Sequence, residues 1–208
     1  MDLLTESRDA LFKNVIANTQ FDLTVILENV HDQHNIGAVV RSCDAVGIRS
    51  IYIIDTDDNL KDRRFDIDLS TSTGVRRWID ITKYTSVDEC ISEVRKHYDT
   101  ILGTHLNSRA VSIYDTDLTQ SAALIFGNEH RGMTPELLSH CDGNLVIPQM
   151  GMVQSLNISV ACAVTVFESA RQRIALGKYE GGFDESNENQ RSKYDQYVQI
   201  QTKRRLKP

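Results

Sequence analysis

Short runs of consecutive apolar residues alternate along this chain with longer stretches in which apolar positions recur every three or four residues. Leu23-Thr-Val-Ile-Leu27, Ser50-Ile-Tyr-Ile-Ile54, Thr100-Ile-Leu-Gly103, Ala122-Ala-Leu-Ile-Phe126 and Leu145-Val-Ile147 belong to the first kind. Such runs are expected of strands covered on both faces. Helical spacing links Leu3, Leu4, Leu11, Phe12, Val15 and Ile16, and again Ile36, Val39, Val40, Cys43 and Val46, where Gly47 makes a good stop. Ser86 and Glu89 form a capping box before Ile91 and Val94, and Thr134 followed by Pro135 reads as another helix start. A long helical pattern spans Ser155 to Ala175 and ends at Gly177. Residues 55–78 are polar and irregular. Strands alternating with helices predict an α/β fold, a mostly parallel sheet with helices on both faces and flanking terminal helices. The expected divisions are a helical extension over 1–20, the α/β domain over 21–177, and a linker with a basic tail over 178–208.

Composition narrows the class. With 208 residues, 40% hydrophobic and 25% charged, the chain can build one α/β domain with a substantial core. No apolar run reaches the roughly 18 residues that cross a bilayer, and the first ten residues lack the order of a signal peptide. No membrane partner and a cytoplasmic setting are therefore expected. Cys43, Cys90, Cys141 and Cys162 are far apart and form no C-x-x-C pair, which reads as small buried residues in a reducing compartment. The net charge of −6 speaks against nucleic acid, yet phosphate binding needs a basic patch rather than a basic total. Such clusters occur at Arg63 and Arg64, at Arg76 and Arg77 beside Trp78, and in the tail at Arg191, Lys193, Lys203, Arg204, Arg205 and Lys207. A solvated, frayed end is the lesser alternative for that tail.

Three polar segments follow predicted strand ends, where α/β sheets bind ligands. The first carries Asn35 at a helix start and Arg41 six residues later. Taken alone, it also reads as a capping Asn and a surface Arg. The second is Phe126-Gly-Asn-Glu-His-Arg-Gly132, polar groups bracketed by two glycines, or else a plain hydrophilic turn. The third runs from Ile147 to Asn157, is rich in methionine, and reads as a pocket wall for a flat, partly apolar ligand or as core packing. His31 and His34 lie near Cys43 without a fourth ligand at zinc-like spacing, so no metal is expected. No Walker loop, G-x-G-x-x-G or G-x-S-x-G is present, which removes the common phosphate-loop and hydrolase readings.

In this order and spacing the three segments resemble the motifs of the SpoU branch of the SPOUT methyltransferases. Asn35 to Arg41 matches the first motif, Leu124 to Gly132 the second, and Ile147 to Ala161 the third, I-P-x-x-G-x-x-x-S-L-N-x-S-x-A. The likeness covers about residues 20–176 and is nearest to members that methylate guanosine 18 of tRNA. It implies transfer of a methyl group from S-adenosylmethionine to a ribose 2′-hydroxyl of RNA, a trefoil knot at about 122–176, and a homodimer. Arg41, Asn35, Glu129, Ser155 and Asn157 are then the catalytic set. Thr104, Gly127, Ile147, Met150 and Leu156 would hold the cofactor, and Arg171 a phosphate. Arg191, Lys203, Arg204 and Arg205 remain the tail candidates for RNA. A ribosomal RNA methyltransferase, a non-catalytic RNA-binding module and an unrelated nucleotide binder are the alternatives. The intact polar set speaks against the second, and the missing glycine-rich loop against the third.

Overall fold

The computed structural model describes residues 4–56, 74–107, 109–129 and 131–205. Arg63, Arg64, His130 and Lys207 lie outside the described residues, as do the side chains of Arg204 and Arg205. Helix α1 (Glu6–Ala17) is followed by β1 (Leu23–Glu28), α2 (Gln33–Ala45) and β2 (Ser50–Ile54). A 3₁₀ turn (Val75–Trp78) leads to β3 (Asp80–Tyr84), α3 (Val87–Val94), β4 (Thr100–Thr104) and β5 (Val111–Ser112). Then come β6 (Ala122–Phe126), α4 (Pro135–Ser139), β7 (Gly143–Val146), α5 (Ile158–Ala175) and α6 (Glu188–Arg205).

The strands form one seven-stranded sheet in the order β3-β2-β1-β6-β4-β7-β5, and the paired strands run parallel. Alternation along β1 sorts the core. Leu23, Val25 and Leu27 face α2 and α5, joining Ile36, Val39, Cys43, Ile158, Cys162 and Val166. Ile26 faces α3 and α4, with Val87, Ile91, Val94 and Leu137. A strand buried on both faces carries apolar residues at every position, which is why these runs lack alternation. Chain order reverses where β6 inserts between β1 and β4, pairing Leu23 with Ala122 and Thr100 with Ala122. A crevice at such a switch point is a preferred ligand site.

Two buried anchors fasten the domain. Arg173 of α5 is fully buried. Its guanidinium donates to the carbonyls of Leu118 (3.1 Å) and Gln120 (2.7 Å), to Gln20 Oε1 (3.0 Å) and to Asp22. The four partners satisfy a charge that would otherwise be costly to bury. The second anchor joins the extensions. Tyr197 of α6 is buried against Phe12 of α1 and Trp78, with ring centroids 5.4 and 4.9 Å apart, and its hydroxyl donates to the Trp78 carbonyl at 2.8 Å. The tail, expected as a terminal helix or a frayed end, is helix α6 docked on α1. Lys193, expected to belong to a basic surface, is buried and paired with Asp80 at 2.7 Å.

Local signals at the element ends are largely as the sequence predicts. Ser86 accepts from Glu89 N, Thr134 caps α4 with Pro135 in its first turn, and Gly47 and Gly177 adopt φ of 81° and 71° after α2 and α5. Three expectations shift. The strand at 145–147 is β7, from Gly143 to Val146, so Ile147 belongs to the following loop. Helix α5 begins at Ile158 with Asn157 as its cap, leaving Ser155 in the loop. Helix α2 is capped by Asp32, whose side chain accepts from His34 N at 2.8 Å, and Asn35 is therefore free to reach elsewhere.

Candidate active site

Three loops meet outside the carboxyl ends of β1, β4, β6 and β7. Asn35 stands in the first turn of α2, and its Nδ2 donates to Glu129 Oε1 at 2.7 Å. Asn157 Nδ2 donates to Asn35 Oδ1 at 3.1 Å. The Asn157 Oδ1 accepts from Ser159 N at 2.9 Å, which caps α5. One hydrogen-bonded row, Glu129–Asn35–Asn157, thereby joins segments 94 and 122 residues apart in sequence.

The loop bearing Glu129 is held closed by its backbone. Asn128 N donates to Gly132 O at 3.0 Å and Gly132 N to Asn128 O at 2.8 Å, with Gly132 at φ 68°. A Cβ at Gly127 would lie 2.5 Å from Gly132 C and Met133 N, so only glycine fits there. Asn128 Nδ2 donates to the carbonyl of Asn29 at 2.8 Å, across to β1. The Glu28 carboxylate at the end of β1 is wholly buried and accepts from Thr134 N at 2.8 Å and from Thr134 Oγ1. Burial pushes its carboxyl above the usual range, against the opposing pull of the two Thr134 bonds.

Beside this row lies a cleft of about 370 Å³, within the range of small-molecule sites. Thr104, Gly127, Ile147 and Leu156 line it, as expected for cofactor contacts, and so do Glu129 and Ser155. Thr104 Oγ1 donates to Ile125 O at 2.8 Å, which turns its methyl group away from that bond. Leu145, Ile147, Leu156 and Ile158 give an apolar wall, while Asn128 and Glu129 bring polar atoms and a negative charge. A flat adenosine with a cationic sulfonium suits that division.

Met150 is absent from the lining and 94% exposed; Met152 and Val153 are exposed as well. The methionines of the third segment face outward, and Ile147, Gln149, Gln154, Ser155 and Leu156 form the wall. Arg41 is exposed on α2, outside the cleft lining, and has no side-chain bond to a described residue. Arg171 is engaged in a fork with Glu168, both bonds at 2.8 Å. Arg191 and Lys203 are exposed on α6. The lining also includes His105, Arg131, Gln149 and Gln154, which the sequence motifs do not mark as cofactor contacts. His105 directly follows β4, so its place at a strand end is the signal that points to it.

The SpoU rRNA Methylase family model matches residues 22–167. The chain is 36% identical over 176 residues to a tRNA (guanosine(18)-2′-O)-methyltransferase of Thermus thermophilus, covering 85% of this chain and 88% of the relative. In structure it resembles the A. aeolicus TrmH/SpoU tRNA modifying enzyme, with a TM-score of 0.83, 29% identity and full coverage of both chains. It also resembles the SpoU methyltransferase AviRb from Streptomyces viridochromogenes in complex with AdoMet, with a TM-score of 0.66 and 26% identity over 76% of this chain and 63% of that one.

Proposed function

Because the chain belongs to the SpoU rRNA methylase family, we propose that it transfers a methyl group from S-adenosylmethionine to a ribose 2′-hydroxyl of tRNA, at guanosine 18. The observation that carries this reading is the Glu129–Asn35–Asn157 row at the edge of a cleft with one apolar wall. The Thermus thermophilus tRNA (guanosine(18)-2′-O)-methyltransferase matches 85% of this chain, which supports tRNA over ribosomal RNA.

When bound, adenosylmethionine supplies an electrophilic methyl group on a sulfonium. The residues of the chain then do three things. Thr104, Gly127, Ile147 and Leu156 hold the adenosine side of the cleft, with the backbone near Met150 as a further contact. Asn35, Glu129, Ser155 and Asn157 fix the ribose, and such positioning can supply much of the rate of a two-substrate step. Arg41 faces solvent, where RNA would arrive. Guanidinium is a poor base, so Arg41 holds a phosphate and stabilises the 2′-oxygen as its proton passes to solvent water and the sulfonium leaves as the neutral thioether. Arg171 and the exposed cations of α6 serve the RNA backbone, Arg171 after exchanging Glu168 for a phosphate.

The working form is a homodimer in the cytoplasm, with the trefoil knot of the family over about 122–176. Val160, Phe167 and Ile174 recur every seventh residue on α5 and are 46%, 53% and 59% exposed, an uncovered apolar stripe suited to a second copy. The four cysteines are free, in keeping with a reducing compartment, and no described helix is long and apolar enough to cross a membrane.

Tritium transfer from labelled adenosylmethionine to tRNA, with mapping of the modified ribose, tests the reading; label entering only ribosomal RNA would redirect it. Arg41→Ala should abolish transfer while calorimetry still records cofactor binding. Near-normal turnover in that variant would remove Arg41 from the mechanism.

A further inference from the structure

Glu28 is a buried carboxylate with no ion pair to a described residue, at the end of the strand beside the active loop. Burying a carboxylate without an ion pair is expensive, so its oxygens need strong hydrogen-bond donors. Its two oxygens meet two donors of one residue, the amide and the hydroxyl of Thr134. A glutamine there offers one acceptor oxygen and turns an NH₂ donor toward the other Thr134 donor. Thr134 Oγ1 in turn accepts from Leu137 N at 3.2 Å, starting α4. The loop 127–134 is thus gripped at three points from the β1–α2 side. Glu28 holds Thr134, the Asn29 carbonyl accepts from Asn128 at 2.8 Å, and Asn35 binds Glu129 at 2.7 Å. The same loop contributes Gly127, Asn128, Glu129, Arg131 and Gly132 to the cleft.

We propose that Glu28 is a positioning residue for the transfer reaction: by accepting both hydrogens of Thr134 it keeps the 127–134 loop in the shape that lines the cofactor cleft and presents Glu129 to Asn35. The proposal rests on the methyltransferase reading for its catalytic consequence and on geometry alone for the loop. Glu28 touches neither the cleft nor the reacting atoms, so its loss should act on the loop first and on catalysis through it.

The experiment compares the full-length wild type with Glu28→Gln, which is nearly isosteric. Amide hydrogen exchange, without ligand, should quicken about tenfold or more over 127–137 and stay unchanged in β2 and α3. The dissociation constant for S-adenosylhomocysteine should rise about tenfold or more, the equivalent of about 1.4 kcal/mol. Glu28→Asp should recover part of both effects, and Thr134→Ser, which keeps both donors, should leave the exchange pattern as it is. If Glu28→Gln does not fold, Glu28→Asp carries the same measurements, with a smaller expected change. Unchanged exchange over 127–137, or a rise spread evenly along the chain, would overturn the brace. A released loop with unchanged affinity would overturn the positioning role alone. A wild type that binds no S-adenosylhomocysteine would sink the methyltransferase reading and the catalytic half of this proposal, while exchange still decides the other half.

Discussion

Asn157 performs two tasks with one carboxamide: its oxygen caps α5 and its NH₂ reaches Asn35. Asp is an equally good cap but cannot donate, so Asn157→Asp separates the tasks. Its melting temperature should fall by no more than the loss of one exposed hydrogen bond, about 1 kcal/mol, while turnover falls roughly tenfold to a hundredfold, the equivalent of about 1.4–2.7 kcal/mol. Thermal scans and methyl transfer on the same sample check this. Retained turnover would show that the Asn35–Asn157 bond is incidental. Much of this row is legible in the sequence, because polar residues at strand ends and motif spacing mark Asn35, Glu129 and Asn157. The direction of a side chain is less so. Asp32 takes the capping place that suits Asn35 equally well, and Met150 turns to solvent although its loop supplies a wall. Composition tells that a loop is apolar, whereas which residues face the cleft depends on the path of the backbone from Ile147 to Leu156.

Buried strands announce themselves through continuous apolar runs, and edge strands do not. β3 holds only Ile81 and Tyr84 as large apolar residues and is largely exposed, and β5 has two residues, so neither stands out from polar sequence. Helix α6 has a polar sequence apart from Tyr194, Tyr197, Val198 and Ile200, too sparse for a clear stripe. What fixes such elements is contact with something distant. The start of β7 shows the same dependence. Asp142 receives both Arg95 nitrogens, at 2.7 and 2.9 Å, and Ile101 N at 2.7 Å, which ties α3 to β4 and β7. The Arg95 guanidinium holds the Asp142 carboxyl below its usual range, and the Ile101 amide adds to this. A depressed carboxyl stabilises the fold above its unfolded pKa of about 3.9 and loses that contribution as pH falls through the folded value. Melting temperature should therefore drop less steeply on acidification below about pH 4 in Asp142→Asn than in the wild type. Parallel curves would show that the tie contributes nothing.

At the scale of the molecule, the strand order is not legible locally. β1 pairs with β6 about a hundred residues away, a choice made by global packing rather than by either run. Two predictions belong here. Phe167→Asp places a charge in the middle of the α5 stripe, and sedimentation should show monomers where the proposed wild-type dimer would sediment at twice the mass. A wild type that sediments as a monomer would end the dimer reading. The outward cations of α6 can be tested without removing the helix, which would uncover Phe12 and Trp78. Arg191→Glu with Lys203→Glu should weaken tRNA binding and flatten its salt dependence by roughly 0.7 to 0.9 for each phosphate no longer neutralised, leaving cofactor affinity unchanged. Fluorescence anisotropy across a salt series reads this, and an identical slope would assign RNA binding elsewhere.

The docking of α6 on α1 also has a consequence for biosynthesis. Tyr194 donates to Asp9 across 185 residues of sequence, and Tyr197 covers Phe12 beside it. On a ribosome adding about 5–20 residues per second, the apolar side of α1 emerges roughly 10 to 40 seconds before its cover exists. Throughout that interval the side of Phe12 that Tyr197 covers is open to chaperones and to neighbouring nascent chains. Helix α6, made after β7 and α5, is what retires this surface, so a product stalled before it would keep that surface open.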